Sequence, residues 1–425
     1  QVIIAIRVLV LVWESGAPVA YVVGGWDPPL GIALRADGVS AVMMLTSAVI
    51  FSAAAAFAWK EYRPPRGLPE SRASLVFWSA LLAMASALNT LFASADLFNL
   101  YVALELLTFA AIPVVSLKGS AETLRAALRY LIFAVFGSML YLLGIVLLYG
   151  AYGTLDVTSL AALIRPDAAT LVAAALVTVG LLAKTALFPF HLWLPPAHAG
   201  APAAGSAVLS ALVVKGSLFL LMRLWFDTFP SLRDPAAMQI LAALGAAAVI
   251  VGSVMAIRQA RLKLLVAYST VAQVGYMFFV FTLVPVLPGE SWIAASAWTG
   301  GWLQIVSHAF AKAAMFVAAG LVAEALGHDR IRDLSGLGKR LPLIVLTFAM
   351  SGVSLMGLPP SGGFSAKFML LVAAVAEGRW LWAAVIIGGG LLAGIYVFGV
   401  LARMLAAMPD GTRVAEIGRG RQLIA

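Results

Sequence analysis

Apolar stretches of about 20 residues recur from one end of this chain to the other, each long enough to cross a hydrocarbon core of roughly 30 Å as a helix. That pattern leaves few folds open. In lipid the backbone must satisfy its own hydrogen bonds, so the spans are expected to be helices. A membrane barrel would show short alternating segments, and none is visible. Only 11% of the residues are charged and the mean hydropathy is +1.01, whereas soluble domains carry about 25% charge. A water-soluble surface cannot be built from so few charges. The expected fold class is all-α, a polytopic membrane protein.

Hydropathy places about twelve spans, near 1–13 (partial), 38–58, 74–94, 97–117, 124–150, 169–190, 204–229, 236–257, 262–284, 300–326, 341–374 and 379–407. The loops between them alternate in charge. One set holds Lys60, Arg63, Arg66 and Arg72; Lys118, Arg125 and Arg129; Arg258, Arg261 and Lys263; and Arg330, Arg332, Lys339 and Arg340. The other holds little beyond Arg35, Arg165, Arg233 and Arg379. The positive-inside rule makes the rich set cytoplasmic, and it accounts for the net charge of +9 without nucleic acid. Residues 1–13 read as a span already under way, and the chain stops soon after another, so further helices are expected beyond both ends.

Two spans contain helix breakers. One reads LLAKTALFPFHLWLPPAHAGAP, with Pro189, Pro195 and Pro196; the other reads GVSLMGLPPSGGFSAKFMLL, with Pro359, Pro360, Gly362 and Gly363. Proline removes a backbone donor and clashes with the preceding turn, and broken backbone at membrane depth survives only where protein or water satisfies it. A matched pair of broken helices points to a transporter built from repeats. The division expected is 1–73 for the first helices, 74–229 and 236–407 for two half-repeats, and 408–425 for a tail.

Chemistry inside the spans rests on few residues. Of eight lysines, four fall within spans: Lys184, Lys215, Lys312 and Lys367. Glu105 lies in FNLYVALELLTFAAIPVV, and His308 stands one helical turn before Lys312. An ionisable group at the bilayer centre costs about 2.5–3.5 kcal/mol or more, so such groups should face the bundle interior. Burial favours a neutral lysine and a nearby carboxylate a charged one, so Glu105 could switch Lys184 as their separation changes. Histidine passes protons between its two nitrogens. The row Glu105, Lys184, Lys215, His308, Lys312 and Lys367 therefore reads as a proton relay. Plainer readings stand beside it. Glu105 and Lys184 could be a structural ion pair pinning two helices. Lys215 could snorkel, although it lies deep in its span. His191 and His198 could only cap backbone groups freed by the break, and Glu324 could reach the interface.

Other chemistry is missing. With no cysteine, the chain holds no iron–sulfur cluster, thiolate metal site or disulfide. No phosphate-binding or dinucleotide glycine motif appears, and four scattered histidines make no haem or zinc site. The chain is expected to carry no cofactor, no metal and no catalytic redox site, so it either exchanges one gradient for another or is driven by partners.

These segments resemble the antiporter-like subunits of respiratory complex I, the Mrp cation/proton antiporters and membrane-bound hydrogenases. GGWDPPLGIALRADGVSAVMM resembles the stretch before the family's third helix. DLFNLYVALEL is similar to its fifth-helix motif, with Asp96 and Glu105 at matching places. AKTALFPFHLWLPPAHAGAP resembles the broken seventh helix, with Lys184, His191 and His198; ALVVKGSLFLLMR the eighth, with Lys215; RLKLLVAYSTVAQVGYM the loop and tenth helix; SHAFAKAAMFVAAG the eleventh, with His308 and Lys312; and GLPPSGGFSAKF the broken twelfth, with Lys367 as terminal ionisable residue. One departure is Pro196, where the family often has Asp. The resemblance implies about fourteen helices with an inverted repeat. It implies a proton-translocating subunit of a multisubunit, redox-driven complex in a prokaryotic cytoplasmic membrane, partnered by other membrane subunits and by iron–sulfur or hydrogenase-like peripheral subunits. A sodium/proton antiporter component without redox partner is the alternative; a structural scaffold with a dead relay and a quinone-reducing enzyme are further ones.

Overall fold

The computed structural model describes residues 1–64, 70–285, 291–408 and 414–424. Among these, ten helices are long and apolar enough to cross a bilayer: Gly38–Tyr62, Arg72–Ala93, Leu97–Ser116, Ala121–Tyr152, Ala168–Gly200, Ala203–Thr228, Pro235–Ile257, Leu262–Leu283, Trp292–Leu326 and Trp380–Leu405. The expected span at 341–374 is two shorter apolar helices, Pro342–Met356 and Gly362–Ala376. The chain is an integral membrane protein. Large apolar side chains on its outer faces, such as Leu82, Met139 and Leu391 at 65%, 66% and 69% exposure, are the surface that lipid covers. Arg66 of the first basic loop lies outside the described residues.

Helix starts follow from local chemistry. Ser71, Asp96, Ser120, Asp156, Asp167, Ser291 and Ser361 each stand just before a helix and accept a backbone N–H of its first turn. Such caps contribute about 1 kcal/mol each. The Ser291 cap starts its helix at Trp292, eight residues before the expected start at 300. Periodicity also missed a two-stranded antiparallel ribbon, Val19–Val22 with Ala33–Ala36, because its strands are only four residues long.

The residues form two compact units. The first comprises residues 1–52, 64–186 and 212–234; the second comprises residues 53–63, 187–211 and 235–425. Within the first, Arg72–Ala93 packs on Leu97–Ser116, that helix on Ala121–Tyr152, and that one on Ala168–Thr185; Val214–Arg223 packs on Ala168–Thr185 and back on Arg72–Ala93. Within the second, Pro235–Ile257, Leu262–Met277, Trp292–Leu326, the broken pair Pro342–Met356 with Gly362–Ala376, and Trp380–Leu405 follow the same order and close in the same way.

The likeness extends to backbone hydrogen bonds. In the first unit Leu97 N donates to Leu155 O and Val157 N to Ala95 O, tying the entry of the second helix to the segment after the third. In the second unit Leu262 N donates to Asp329 O and Ile331 N to Ala260 O, at the same place in the order. The first bridge lies in loops poor in basic residues and the second in arginine-rich ones. The fourth element breaks alike in both. Ala186 (φ 55°) ends Ala168–Thr185, and Gly357 (φ 80°) ends Pro342–Met356. In each, the amide of the left-handed residue folds back onto carbonyls three and four residues earlier.

Candidate functional site

In the first unit Lys184 occupies the last turn before the break, 6% exposed at its side chain. Its Nζ donates to Glu105 Oε1 at 3.0 Å and to Thr108 Oγ1 at 3.0 Å. Thr108 is one turn along from Glu105 on Leu97–Ser116, so acid and hydroxyl share a face. The Ser138 hydroxyl, from Ala121–Tyr152, also donates to Glu105 Oε1. Three helices thus converge on one carboxylate. Close approach is what permits it: a Cβ on Gly137 would stand 2.7 Å from the Gly180 carbonyl and 3.4 Å from the Lys184 stem. Only glycine leaves the two helices this near.

Lys215, fully buried, begins Val214–Arg223 directly after a wide π-type turn at Leu209–Val213. Such turns gather at functional positions. Thr185, next to Lys184, donates to Ser217 at 3.0 Å, so the helices bearing Lys184 and Lys215 are joined by hydroxyls. Eight residues beyond Lys215, Arg223 pairs with Asp37 and, at 3.0 Å, with Asp227. Burial acts to raise the Asp37 carboxyl, but the Arg223 charge and the Ser40 amide outweigh it and hold the group below its ordinary 3.8.

Asp96 does not join Glu105. It caps Leu97–Ser116, accepting from Asn99 N at 2.7 Å, nine residues and therefore about 13 Å along the helix from Glu105. Burial and the neighbouring Asp156 raise this carboxyl, while the Asn99 and Phe98 amides oppose the rise.

In the second unit His308 and Lys312 stand four residues apart on one face of Trp292–Leu326, at 1% and 0% exposure. Lys312 Nζ donates to Ser269 Oγ and to Val266 O at 2.9 Å. Lys367 Nζ donates to Leu355 O at 2.5 Å and lies 4.1 Å from the centre of the Tyr276 ring. The Leu355 carbonyl belongs to the last turn before the break, where helix carbonyls lose their partners. It also accepts from Gln273 Nε2 at 2.9 Å, and Gln304 Nε2 donates to Gln273 Oε1 at 3.0 Å. Lys367 borders a groove of about 550 Å³ between Gly362–Ala376 and Trp380–Leu405, otherwise apolar and open on one side.

Two of the other three histidines, His191 and His198, sit by the first break. His198 is fully buried and stacks on Phe316 at 4.7 Å; His191 stacks on Phe188 at 5.6 Å. Lys263 reaches the Ala201 carbonyl at 3.3 Å. Glu324 pairs with Arg421 at a half-exposed position, and His328 is 41% exposed beside Asp333. No cluster of three metal-ligating side chains occurs among the described residues.

Sequence reasoning named the ionisable groups and passed over the neutral ones around them: Thr108, Ser138, Ser269, Gln273, Gln304 and Tyr276. A signal existed for some. Thr108 follows Glu105 by three residues, and Ser269, Gln273 and Tyr276 make a polar stripe at helical spacing in an otherwise apolar span.

Paired broken helices, each with a buried lysine within reach of the break, and a buried carboxylate–lysine pair define an antiporter-like, ion-translocating membrane protein. The chain belongs to the NADH:quinone oxidoreductase/Mrp antiporter transmembrane family, whose model matches residues 94–393. It is 35% identical over 408 residues to an NADH-quinone oxidoreductase subunit of Desulforudis audaxviator (strain MP104C), covering 94% of this chain and 78% of that one. It is 29% identical over 396 residues to a Na(+)/H(+) antiporter subunit of Alkalihalophilus pseudofirmus, covering 92% and 77%. Its fold is similar to a chain of the membrane-bound sulfane sulfur reductase, an archaeal respiratory membrane complex, with a TM-score of 0.87, 28% identity and coverage of 100% and 85%.

Proposed function

We propose that this chain is the proton-translocating, antiporter-like subunit of a multisubunit, redox-driven membrane complex. The observation that carries the reading is the 3.0 Å contact between Lys184 and Glu105, a charge pair at membrane depth next to a helix break. A pair that served only to pin helices would need neither the break nor the further buried lysines. In this reading protons enter through one half-repeat and leave through the other. Glu105 modulates Lys184; Lys215, His308 and Lys312 relay; and Lys367 gates the exit. Asp96, His191 and His198 support this path structurally. The half-repeats are 74–229 and 236–407, and the shared helix order and bridge pattern of the two units support them.

The partners are other membrane subunits, surrounding lipid, and iron–sulfur or hydrogenase-like peripheral subunits that supply the redox step; this chain itself holds no cofactor. The membrane is the cytoplasmic membrane of a prokaryote. The NADH-quinone oxidoreductase relative and the archaeal respiratory membrane complex support this version, and the sodium/proton antiporter relative supports a second, in which the chain exchanges sodium for protons without redox partners. Mass spectrometry of the complex purified in mild detergent separates the two: cysteine-rich peripheral subunits are expected for the first, small membrane subunits alone for the second. The relay is tested by Glu105→Gln in the assembled complex in proteoliposomes. Coupled proton transport should fall by about tenfold or more with assembly intact, and wild-type transport would overturn the reading.

A further inference from the structure

Two lysines of the second unit, Lys312 and Lys367, reach toward one polar stripe from different helices. Ser269 and Gln273 are four residues apart on Leu262–Met277 and Tyr276 follows three later, so all three share a face. At one end, Ser269 Oγ accepts from Lys312. At the other, Gln273 Nε2 and Lys367 Nζ share the Leu355 carbonyl, at 2.9 and 2.5 Å. Lys312 is therefore bonded to Ser269 and Lys367 to the carbonyl that Gln273 shares, but Gln273 between them cannot conduct. A carboxamide keeps its protons and a backbone carbonyl only accepts, so a proton arriving at Ser269 cannot pass through Gln273.

The Tyr396 hydroxyl lies alongside that obstacle. It faces both Ser269 and Gln273 from Trp380–Leu405. The residue is 3% exposed, and its hydroxyl closes no hydrogen bond of ordinary geometry. Two further buried oxygens nearby are equally unpartnered: the Tyr276 hydroxyl, whose ring lies under the Lys367 ammonium, and Gln304 Oε1. Gly389, two turns before Tyr396 on the same helix, leaves the Tyr276 hydroxyl its room, since a Cβ there would collide with it. Buried polar atoms of this kind are satisfied by bridging water, which needs two to four such partners.

We propose that Tyr396 is the hydroxyl link that carries a proton between Lys312 and Lys367, bypassing the Gln273 amide. The proposal rests on the proton-relay reading. A proton leaves the Lys312 ammonium for Ser269, whose own hydroxyl proton turns to Tyr396; Tyr396 accepts it on a lone pair and gives its original proton to a water held by the Tyr276 hydroxyl; that water protonates the Lys367 amine. One N–H bond breaks at Lys312, one forms at Lys367, and every hydroxyl is restored. Gln273 is a positioning residue that keeps Leu355 O and Lys367 in place.

The experiment uses the assembled complex in proteoliposomes, with flux driven by an imposed pH gradient and read by an entrapped pH dye, in H2O and D2O. Tyr396→Phe deletes only the hydroxyl and keeps the ring. It should slow flux at least about tenfold and raise the solvent isotope effect, because the interrupted step becomes limiting; Ser269→Ala, which removes the neighbouring hydroxyl, should do the same. Wild-type flux in Tyr396→Phe, or slower flux with an unchanged isotope effect, overturns the proposal. Lys184→Met is measured in the same preparation. Loss there beside normal flux in Tyr396→Phe rejects the tyrosine link alone, and normal flux in both rejects the relay itself.

Discussion

Lys184 and Asp37 place an acid–base pair in two different media. Lys184 and Glu105 meet at membrane depth, where each charge alone is costly and the Thr108 and Ser138 hydroxyls share the carboxylate and ammonium. Asp37 meets Arg223 at the end of a span, partly in contact with water. Because Arg223 and the Ser40 amide hold Asp37 below 3.8, its folded form favours the carboxylate more than the unfolded chain does. The stabilisation is therefore fully present above pH 3.8 and is lost as pH falls through the lower folded value. Thermal melts of the detergent-solubilised protein should show this acid-side loss, and Asp37→Asn should flatten the curve in that window while lowering stability at neutral pH. An unchanged acid limb in the variant would show that the pair does not couple to folding.

Helix pairs in this chain approach through small residues. Ala121–Tyr152 and Ala168–Thr185 face each other at Gly137 and Gly180, and again at Gly144 beside Val177. Lipid offers helices no hydrophobic reason to associate, so close van der Waals contact between such residues carries the packing. The second unit repeats the device, with Gly245 against Gly275 and Gly252 against Ala272. A side chain at Gly180 would strike the Gly137 carbonyl and move the helix that bears Lys184. Gly180→Val should cost about 1–3 kcal/mol, read as a lower melting temperature, and should weaken transport along with it. Full transport with normal stability would mean that the two helices have freedom to separate.

Loops rich in arginine alternate with loops nearly free of it across the whole molecule, and this sets which ends of the spans face the cytoplasm. The chain contains no cysteine, so single cysteines can be introduced without background. Arg258→Cys and Lys118→Cys should react with an impermeant thiol reagent only from the cytoplasmic side, and Arg165→Cys only from the opposite side. Labelling of Arg165→Cys and Arg258→Cys from the same side would break the alternation and count against the proposed half-repeats.

The sequence by itself determined the class of protein, the position of most spans, the two breaks and the short list of ionisable groups. Each of these depends on local composition and on the cost of placing polar groups in lipid, and neither needs a fold to be read. Only the tertiary structure decided which groups meet. That Asp96 is a helix cap while Glu105 holds Lys184, that Ser138 arrives from a third helix, and that Leu355 O receives both Lys367 and Gln273 are outcomes of packing between segments far apart in the chain. Neutral residues such as Gln304 and Tyr396 carry no sequence signal of their own, because a glutamine or tyrosine costs a span little; their importance comes from the side chains that packing sets around them.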